Sequence, residues 1–372
     1  MGACDGARVK ITIFGLTLSS SWGNGHATPY RAILSALHRR GARAIFYEQD
    51  APYYAVHRDF HSSPDCDLKL YSCWEDVRAA ALSDAAESDI VINASYCPDG
   101  ARISDEVLEI EGPLHVFYDL DTPITLNALA SQGSDYLRGD QIPRFELYLS
   151  FTGGRVLEEL ERHYGAQLAR PLYGCVDPEA YQRVAAHKAF RCWLSYLGTY
   201  APDRQQKLNE LFLEPAHRCP GWPFVLAGSL YPRDRTWPEN VKRFEHVAPN
   251  RHAALYSSSR ATLNITRREM ADSGYCPSGR FFEAAACGTP ILTDWWEGLD
   301  AFFDPEQELC VVRNAEDVLA CLSMSDVELR AKAERARNRT LSEHTGECRA
   351  GQLLAHCEEA YRHNKPVREV MA

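Results

Sequence analysis

Short apolar runs alternate with stretches of helical period over the first half of the chain. Candidate strands are 9–17, 42–48, 89–94, 114–119 and 147–152, with helical stretches near 26–40, 74–88, 124–132 and 154–165. This alternation leaves few folds open. Strands joined through helices by right-handed crossovers form a parallel sheet covered on both faces. The stretch "ARPLYGCVDPEAYQ", 169–182, holds Pro171, Gly174 and Pro178 and reads as a connector. Beyond it the pattern restarts, with strands at 192–198, 223–227, 242–246, 261–265, 289–293 and 309–313 and helices at 203–213, 280–287, 315–323 and 326–341. A last helix, 350–363, puts Leu353, Leu354, Cys357 and Tyr361 on one face. A chain of 372 residues exceeds one ordinary domain. Two doubly wound α/β domains of roughly 150–200 residues, with a cleft between them for a ligand, are expected.

Composition excludes several partners. The net charge of −11 disfavours a nucleic-acid backbone or an anionic membrane as the main partner. No apolar run reaches the roughly 18 residues of a membrane span. The start "MGACDGARVK" lacks the apolar core of a signal peptide, and Gly6 stands where a myristoylation signal needs Ser or Thr. The thirteen cysteines contain no Cys-x-x-Cys pair. That pattern favours free thiols in a reducing cytoplasm over a zinc site.

Six stretches carry residue types suited to chemistry. In "SGRFFEAAACGTPILTD", 278–294, Ser278 and Gly279 open a helix near Arg280, and Gly288 closes it. The free N–H groups of such a helix start suit a phosphate. Glu283 sits one turn in; by pattern alone it is equally a capping or surface carboxylate. In "YLGTYAPDRQQKL", 196–208, Gly198 ends a strand, and Arg204 and Lys207 lie at the following helix start, where arginine can grip phosphate with two parallel bonds. "NITRREMADSGYCPSGR", 264–280, gathers Arg267, Arg268, Tyr275 and Arg280 in an otherwise acidic chain. In "FYDLDTPIT", 117–125, Asp119 and Asp121 stand at a strand end, as an acceptor-binding or basic pair or as an Asx turn before Pro123. "FTGGRVLEEL", 151–160, offers Thr152, Gly153 and Gly154 as a ligand loop or a plain turn.

The sixth stretch, "SSSWGNGHATPYR", 19–31, joins the first strand to the first helix. It has neither the third glycine of a dinucleotide fingerprint nor the Gly-Lys-Ser/Thr of a P-loop. Gly23 and Gly25 permit close approach of a ligand, and His26, at the helix start, could accept a proton or simply be satisfied by backbone.

The block "FEAAACGTPILTD" resembles the donor-binding signature of glycosyltransferases with the two-domain GT-B fold. More specifically, "SSWGNGHAT" at 20–28, "YDLDTP" at 118–123, "YLSFTGG" at 148–154 and "YLGTY…DRQ" at 196–206 resemble blocks of the CgeB-type (spore-maturation) glycosyltransferase-like proteins, related to group-1 glycosyltransferases. Together they span most of the chain. The resemblance implies two Rossmann-like domains facing across a cleft: an acceptor-side domain, 1–170, a nucleotide-sugar donor domain, 171–348, and a C-terminal helix, 349–372, returning to the first domain. It implies that Glu283 binds the ribose of a nucleotide sugar. Arg204, Arg280, Arg267, Ser278, Gly279, Gly198 and Tyr275 would hold the rest of the donor, with Gly25 of the opening loop close to it. Asp121, His26 and Asp119 would position or deprotonate an acceptor hydroxyl. Many retaining relatives carry a second glutamate eight residues before the helix glutamate; that position here is Tyr275, which leaves retention or inversion open.

The expected protein is a cytoplasmic glycosyltransferase that uses a nucleotide diphosphate-sugar as substrate, with no tightly bound cofactor and no metal. Its acceptor and oligomeric state are not legible in the sequence. Two rivals share the fold: a non-catalytic nucleotide-sugar-binding or assembly protein, and a nucleotide-sugar epimerase.

Overall fold

The structure, a computed structural model, describes residues 9–364. The start of the chain, where a signal peptide and a myristoylation site were sought, lies mostly outside them, as do residues 365–372 of the C-terminal segment. The chain divides into two compact units, one ending at Tyr173 and rejoined from Gly346 onward, the other Gly174–Thr345.

The first unit runs β1 (Lys10–Gly15), α1 (Ala27–Arg39), β2 (Arg43–Gln49), α2 (Pro52–Ala55), β3 (Asp67–Tyr71), α3 (Trp74–Ala86) and β4 (Ile90–Ala94). It continues with α4 (Gly100–Val107), β5 (Leu114–Asp119), α5 (Thr122–Ser131), β6 (Leu147–Ser150), α6 (Arg155–Arg162) and β7 (Ala169–Pro171). Its seven strands are all parallel, in the order β3-β2-β1-β4-β5-β6-β7. β4 and β5 are buried at every position, as strands covered on both faces must be. One core, around Phe14, Tyr47 and Trp74, and a second, around Phe117, Tyr148 and Leu160, hold the helices to the sheet.

The second unit runs β8 (Cys192–Leu197), α7 (Gln205–Leu208), α8 (Glu214–Arg218), β9 (Phe224–Ala227), β10 (Val241–Phe244), α9 (His252–Ser258) and β11 (Ser259–Asn264). Then come α10 (Arg268–Ser273), α11 (Gly279–Ala286), β12 (Ile291–Thr293), β13 (Cys310–Val311), α12 (Ala315–Leu322) and α13 (Asp326–Glu343). Its six strands are also parallel, ordered β10-β9-β8-β11-β12-β13. The α/β class expected from the alternation is the class observed.

Several local expectations change. The connector begins as strand β7, paired with β6, and its Pro171 sits at the edge of the sheet, where a missing N–H is tolerated. The edge strand β3 has only Tyr71 buried, so it carries little apolar signal. The helix expected at 203–213 is a 3-10 turn at Pro202–Arg204, then α7, a π-helical turn at Asn209–Leu213, and α8. Pro215 cannot donate to the Leu211 carbonyl and would crowd it in α geometry; the wider turn relieves that clash. The last helix, α14 (Gly346–Asn364), starts four residues earlier than expected, and Gly346 lies so close to α1 that a Cβ would stand 2.4 Å from the Ala32 carbonyl oxygen. Its buried stripe is Ala350, Leu353, Cys357 and Ala360, whereas Tyr361 is exposed, because position 360 is nearer the centre of the stripe set by 353 and 357.

Candidate functional site

In a doubly wound sheet the ligand crevice opens at the C-terminal strand ends, where the strand order reverses. The first unit reverses between β1 and β4, the second between β8 and β11. The expected residues gather at these two places.

At the first, the loop after β1 is built by its own side chains. Asn24 Oδ1 accepts from the backbone N–H of His26 and Ala27, at 3.0 and 3.2 Å, and Nδ2 donates to the carbonyls of Ser20 and Trp22. Asn24 thereby satisfies the start of α1. Gly23 needs its left-handed φ of +65°, and a Cβ there would stand 2.7 Å from the Tyr53 hydroxyl; Gly25 faces open space. The carboxylate of Glu48, wholly buried, accepts from Thr17 and Ser19 hydroxyls and from the N–H of Leu18 and Ser19, which pins the base of the loop.

His26 is buried at the start of α1. Its Nε2 lies 3.6 Å from Asp121 Oδ2, its ring meets Tyr96 edge-on at 5.5 Å, and its Nδ1 has no hydrogen-bond partner. Tyr96, just after β4, has φ +60°, a conformation costly for a bulky residue. Asp121 precedes α5 and keeps 27% of its side chain exposed. Asp119 differs. It is fully buried, and its oxygens accept from Tyr148 Oη at 2.6 Å, Thr125 Oγ1 at 2.9 Å and the N–H of Asp121 at 3.1 Å. The last bond is an Asx turn, which orients Asp121. Burial pushes the Asp119 carboxyl up to about 6, against these hydrogen bonds.

At the second crevice, Gly198 directly follows β8 under close backbone contact: a Cβ on Gly228 would lie 1.9 Å from the Gly198 carbonyl oxygen. Arg204 follows in the 3-10 turn and is buried, with 7% exposure. Its Nη2 donates to the Thr199 carbonyl at 2.6 Å, its Nε has no partner, and no carboxylate stands within ion-pair distance among the described residues. Burial, with the charge of Arg280, holds the Arg204 guanidinium below its ordinary range. Arg280, the second residue of α11, likewise makes no ion pair among the described residues and is half-buried. Two cations share a space with no carboxylate in ion-pair contact among the described residues, beside a helix N-terminus whose N-cap, Ser278, accepts from Arg280 N at 3.4 Å. Gly279 leaves the helix start open. Arg267, after β11, is half-buried with its Nε unpartnered. Such a place is complementary to a polyanion.

Glu283 is a buried carboxylate, not a surface one. Its Oε2 accepts from Tyr256 Oη at 3.3 Å and stands 3.7 Å from His252 Nδ1. Burial works to neutralise it, but His252 and Arg280 outweigh that and hold its carboxyl below the usual range, so it is an anion and an acceptor at neutral pH. Lys207 is engaged elsewhere, 2.5 Å from the buried Asp294. Tyr275 takes φ +45°, donates its N–H to the Glu297 carbonyl at 2.7 Å and lays its ring over Gly298. Sequence reasoning missed His252, Tyr256 and Tyr181. The first two stand four apart, the one sign in the sequence that both face the same way; Tyr181 lies in the stretch read as connector. Among the described residues, no three His, Cys, Asp or Glu side chains cluster to hold a metal, and no helix is long and apolar enough to cross a membrane.

Residues 204–355 match the family model described as glycosyl transferase-like. No curated protein matches the chain by sequence. Similar solved structures include a sucrose-phosphate synthase from Thermosynechococcus elongatus, 14% identical with a TM-score of 0.66, over 95% of this chain and 100% of that one. An alpha-glucosyltransferase in complex with UDP-glucose and DNA containing an abasic site is 10% identical, with a TM-score of 0.69, over 94% and 99%. Anabaena HepE in complex with UDP and glucose is 12% identical, with a TM-score of 0.63, over 95% and 100%. The chain-long likeness shows the GT-B fold, two parallel-sheet Rossmann-like units, and residues 204–355 of the second unit and its C-terminal flank are similar to the glycosyl transferase-like family.

Proposed function

We propose that the protein is a glycosyltransferase that takes its sugar from a nucleotide diphosphate-sugar. The observation that carries this reading is the buried Arg204 beside Arg280, two cations that make no ion pair among the described residues, at the start of α11. A diphosphate supplies the missing charge. Glu283, an anion one turn into the same helix, is the acceptor for ribose hydroxyls. Support comes from the family match over residues 204–355 and from similar structures that hold UDP or UDP-glucose.

In the reaction the bond from sugar C1 to the phosphate oxygen breaks, and the nucleoside diphosphate leaves with the electron pair. The acceptor oxygen forms a new bond to C1 and loses its proton. Arg204 and Arg280 stabilise the charge that grows on the leaving group, with Arg267, Ser278 and Gly279 around them and Gly198 and Tyr275 shaping the nearby turns. The second unit is thus the donor domain and the first the acceptor side, where Gly25 leaves room for a ligand. His26 takes or steers the acceptor proton, Asp121 orients it, and Asp119 anchors Asp121. Membership of the CgeB type, hexose transfer and a cytoplasmic setting extend the reading on the strength of the sequence blocks and cysteine pattern.

The test is turnover. A panel of nucleotide sugars, with and without hydroxyl acceptors, should release nucleoside diphosphate. Binding without release across the panel would favour a non-catalytic nucleotide-sugar-binding protein. Glu283→Ala should weaken nucleotide binding by about 1–3 kcal/mol, and Asp121→Asn should lower kcat more than affinity. Unchanged nucleotide affinity in the first variant would remove Glu283 from the site.

A further inference from the structure

We infer that His252 is a positioning residue for Glu283, and that through it the first turn of α9 sets how strongly the protein distinguishes ribose from deoxyribose in its donor. The inference rests on the reading of Glu283 as the ribose acceptor.

Glu283 is buried, and among the described residues His252 is its sole basic neighbour within 4.0 Å. A buried carboxylate needs charge or hydrogen bonds to hold one geometry. His252 is itself fixed from behind. Its Nε2 stands 2.9 Å from the Val247 carbonyl oxygen, which can only accept, so Nε2 carries a hydrogen in either charge state. That bond sets the ring plane and leaves Nδ1 facing Glu283 Oε2 at 3.7 Å and the Tyr181 hydroxyl at 3.3 Å. Tyr256 lies one turn further along α9, on the same face, and donates to the same Oε2 at 3.3 Å. One helix face therefore holds one edge of the carboxylate, and the Val247 backbone holds that face. The arrangement is more than packing needs: an apolar residue at 252 would fill the space without setting a ring nitrogen against Glu283 and without the bond to the Val247 carbonyl.

A hydrogen bond to a ribose hydroxyl depends on where the carboxylate oxygen stands, within a few tenths of an ångström. Loss of His252 should thus be felt at the ribose and not at the diphosphate. The probe is whichever of UDP, ADP and GDP binds tightest, compared with its 2′-deoxy and 3′-deoxy forms by titration calorimetry. The wild type should favour the ribonucleotide by about tenfold to a hundredfold, as expected of a hydrogen bond to a charged group. Glu283→Ala should abolish that preference. His252→Ala should reduce it to within about threefold of unity, and the double variant should lose nothing more. His252→Gln is measured in parallel, in case the alanine chain does not fold. Its amide can donate to Val247 or to Glu283 but not to both, so it should retain part of the preference.

A merely structural role for His252 would weaken ribonucleotide and deoxynucleotide equally. A folded His252 variant with the wild-type preference, while Glu283→Ala has lost it, overturns the inference. If Glu283→Ala itself keeps the preference, the ribose reading of Glu283 falls instead.

Discussion

Arg204→Met should make the ligand-free protein more stable and at the same time deprive it of its nucleotide. Arg204 is 7% exposed, bonds one carbonyl, leaves Nε unpartnered and feels Arg280 more than Asp203, with no carboxylate in ion-pair contact among the described residues. A cation taken from water without an ion-pair partner costs several kcal/mol, even after relaxation. Methionine fills a similar volume with no charge. The substitution gives up the charge-assisted bond to the Thr199 carbonyl, about 1.5–3 kcal/mol. The balance favours methionine by about 1–2 kcal/mol. For a unit of this size each kcal/mol is worth about 2–4 °C, so the ligand-free melting temperature should rise by about 2–8 °C. Saturating nucleoside diphosphate should stabilise the wild type by about 2.7 kcal/mol at a hundred times Kd, and the variant by almost nothing at the same concentration. Thermal melts with and without nucleotide read both effects in one experiment. A ligand-free variant that melts several degrees lower, with an undiminished nucleotide shift, would refute the reasoning and make Arg204 a framework residue.

Two further perturbations probe the framework. Burial lifts the Asp119 carboxyl from 3.8 to about 6, so the folded state holds this proton more tightly than the unfolded chain does. The stability this group contributes is fully present below about pH 4 and is lost as pH rises through about 6, a change of ~3 kcal/mol. Asp119→Asn should flatten the pH dependence of urea unfolding over that window; an unchanged slope would place the titration elsewhere. Gly228→Ala drives a Cβ into the Gly198 carbonyl, a backbone atom that cannot swing away. It should cost at least about 1–3 kcal/mol and weaken nucleotide binding, because the end of β8 leads to Arg204; a variant with wild-type stability and affinity would show that the two loops move apart freely.

The α/β class was legible in the sequence because buried parallel strands read as apolar runs and their crossover helices carry a 3.6-residue period. β5, at 114–119, and α11, expected at 280–287, lie within a residue of where the pattern put them. The edge strand β3 and the short α9 escaped. An edge strand buries too little to show, and seven residues give too few turns for a period. The candidate site divides in the same way. Local chemistry announced Ser278, Gly279 and Arg280, since an N-cap, a small residue and a cation at a helix start are neighbours in sequence. It also announced Gly23, whose positive φ belongs to the turn itself.

What faces a residue across the fold is a tertiary fact. The sequence shows Asp119 and Asp121 as a matched pair. The structure makes one a buried anchor and the other a half-open acid, because Tyr148, 29 residues on, joins Thr125 of the same stretch to enclose the first. It shows Glu283 as an odd charge in an apolar helix, and only the packing of α9 and the Tyr181 segment against α11 supplies the imidazole and hydroxyls that keep it ionised. Arg204 is a surface-like arginine until burial strips its water and sets it near the charge of Arg280. Periodicity, caps and turn residues are carried by positions a few residues apart, so the sequence alone determines them. The charge a side chain keeps depends on the solvent it loses and the partners it meets, and those come from segments tens of residues away.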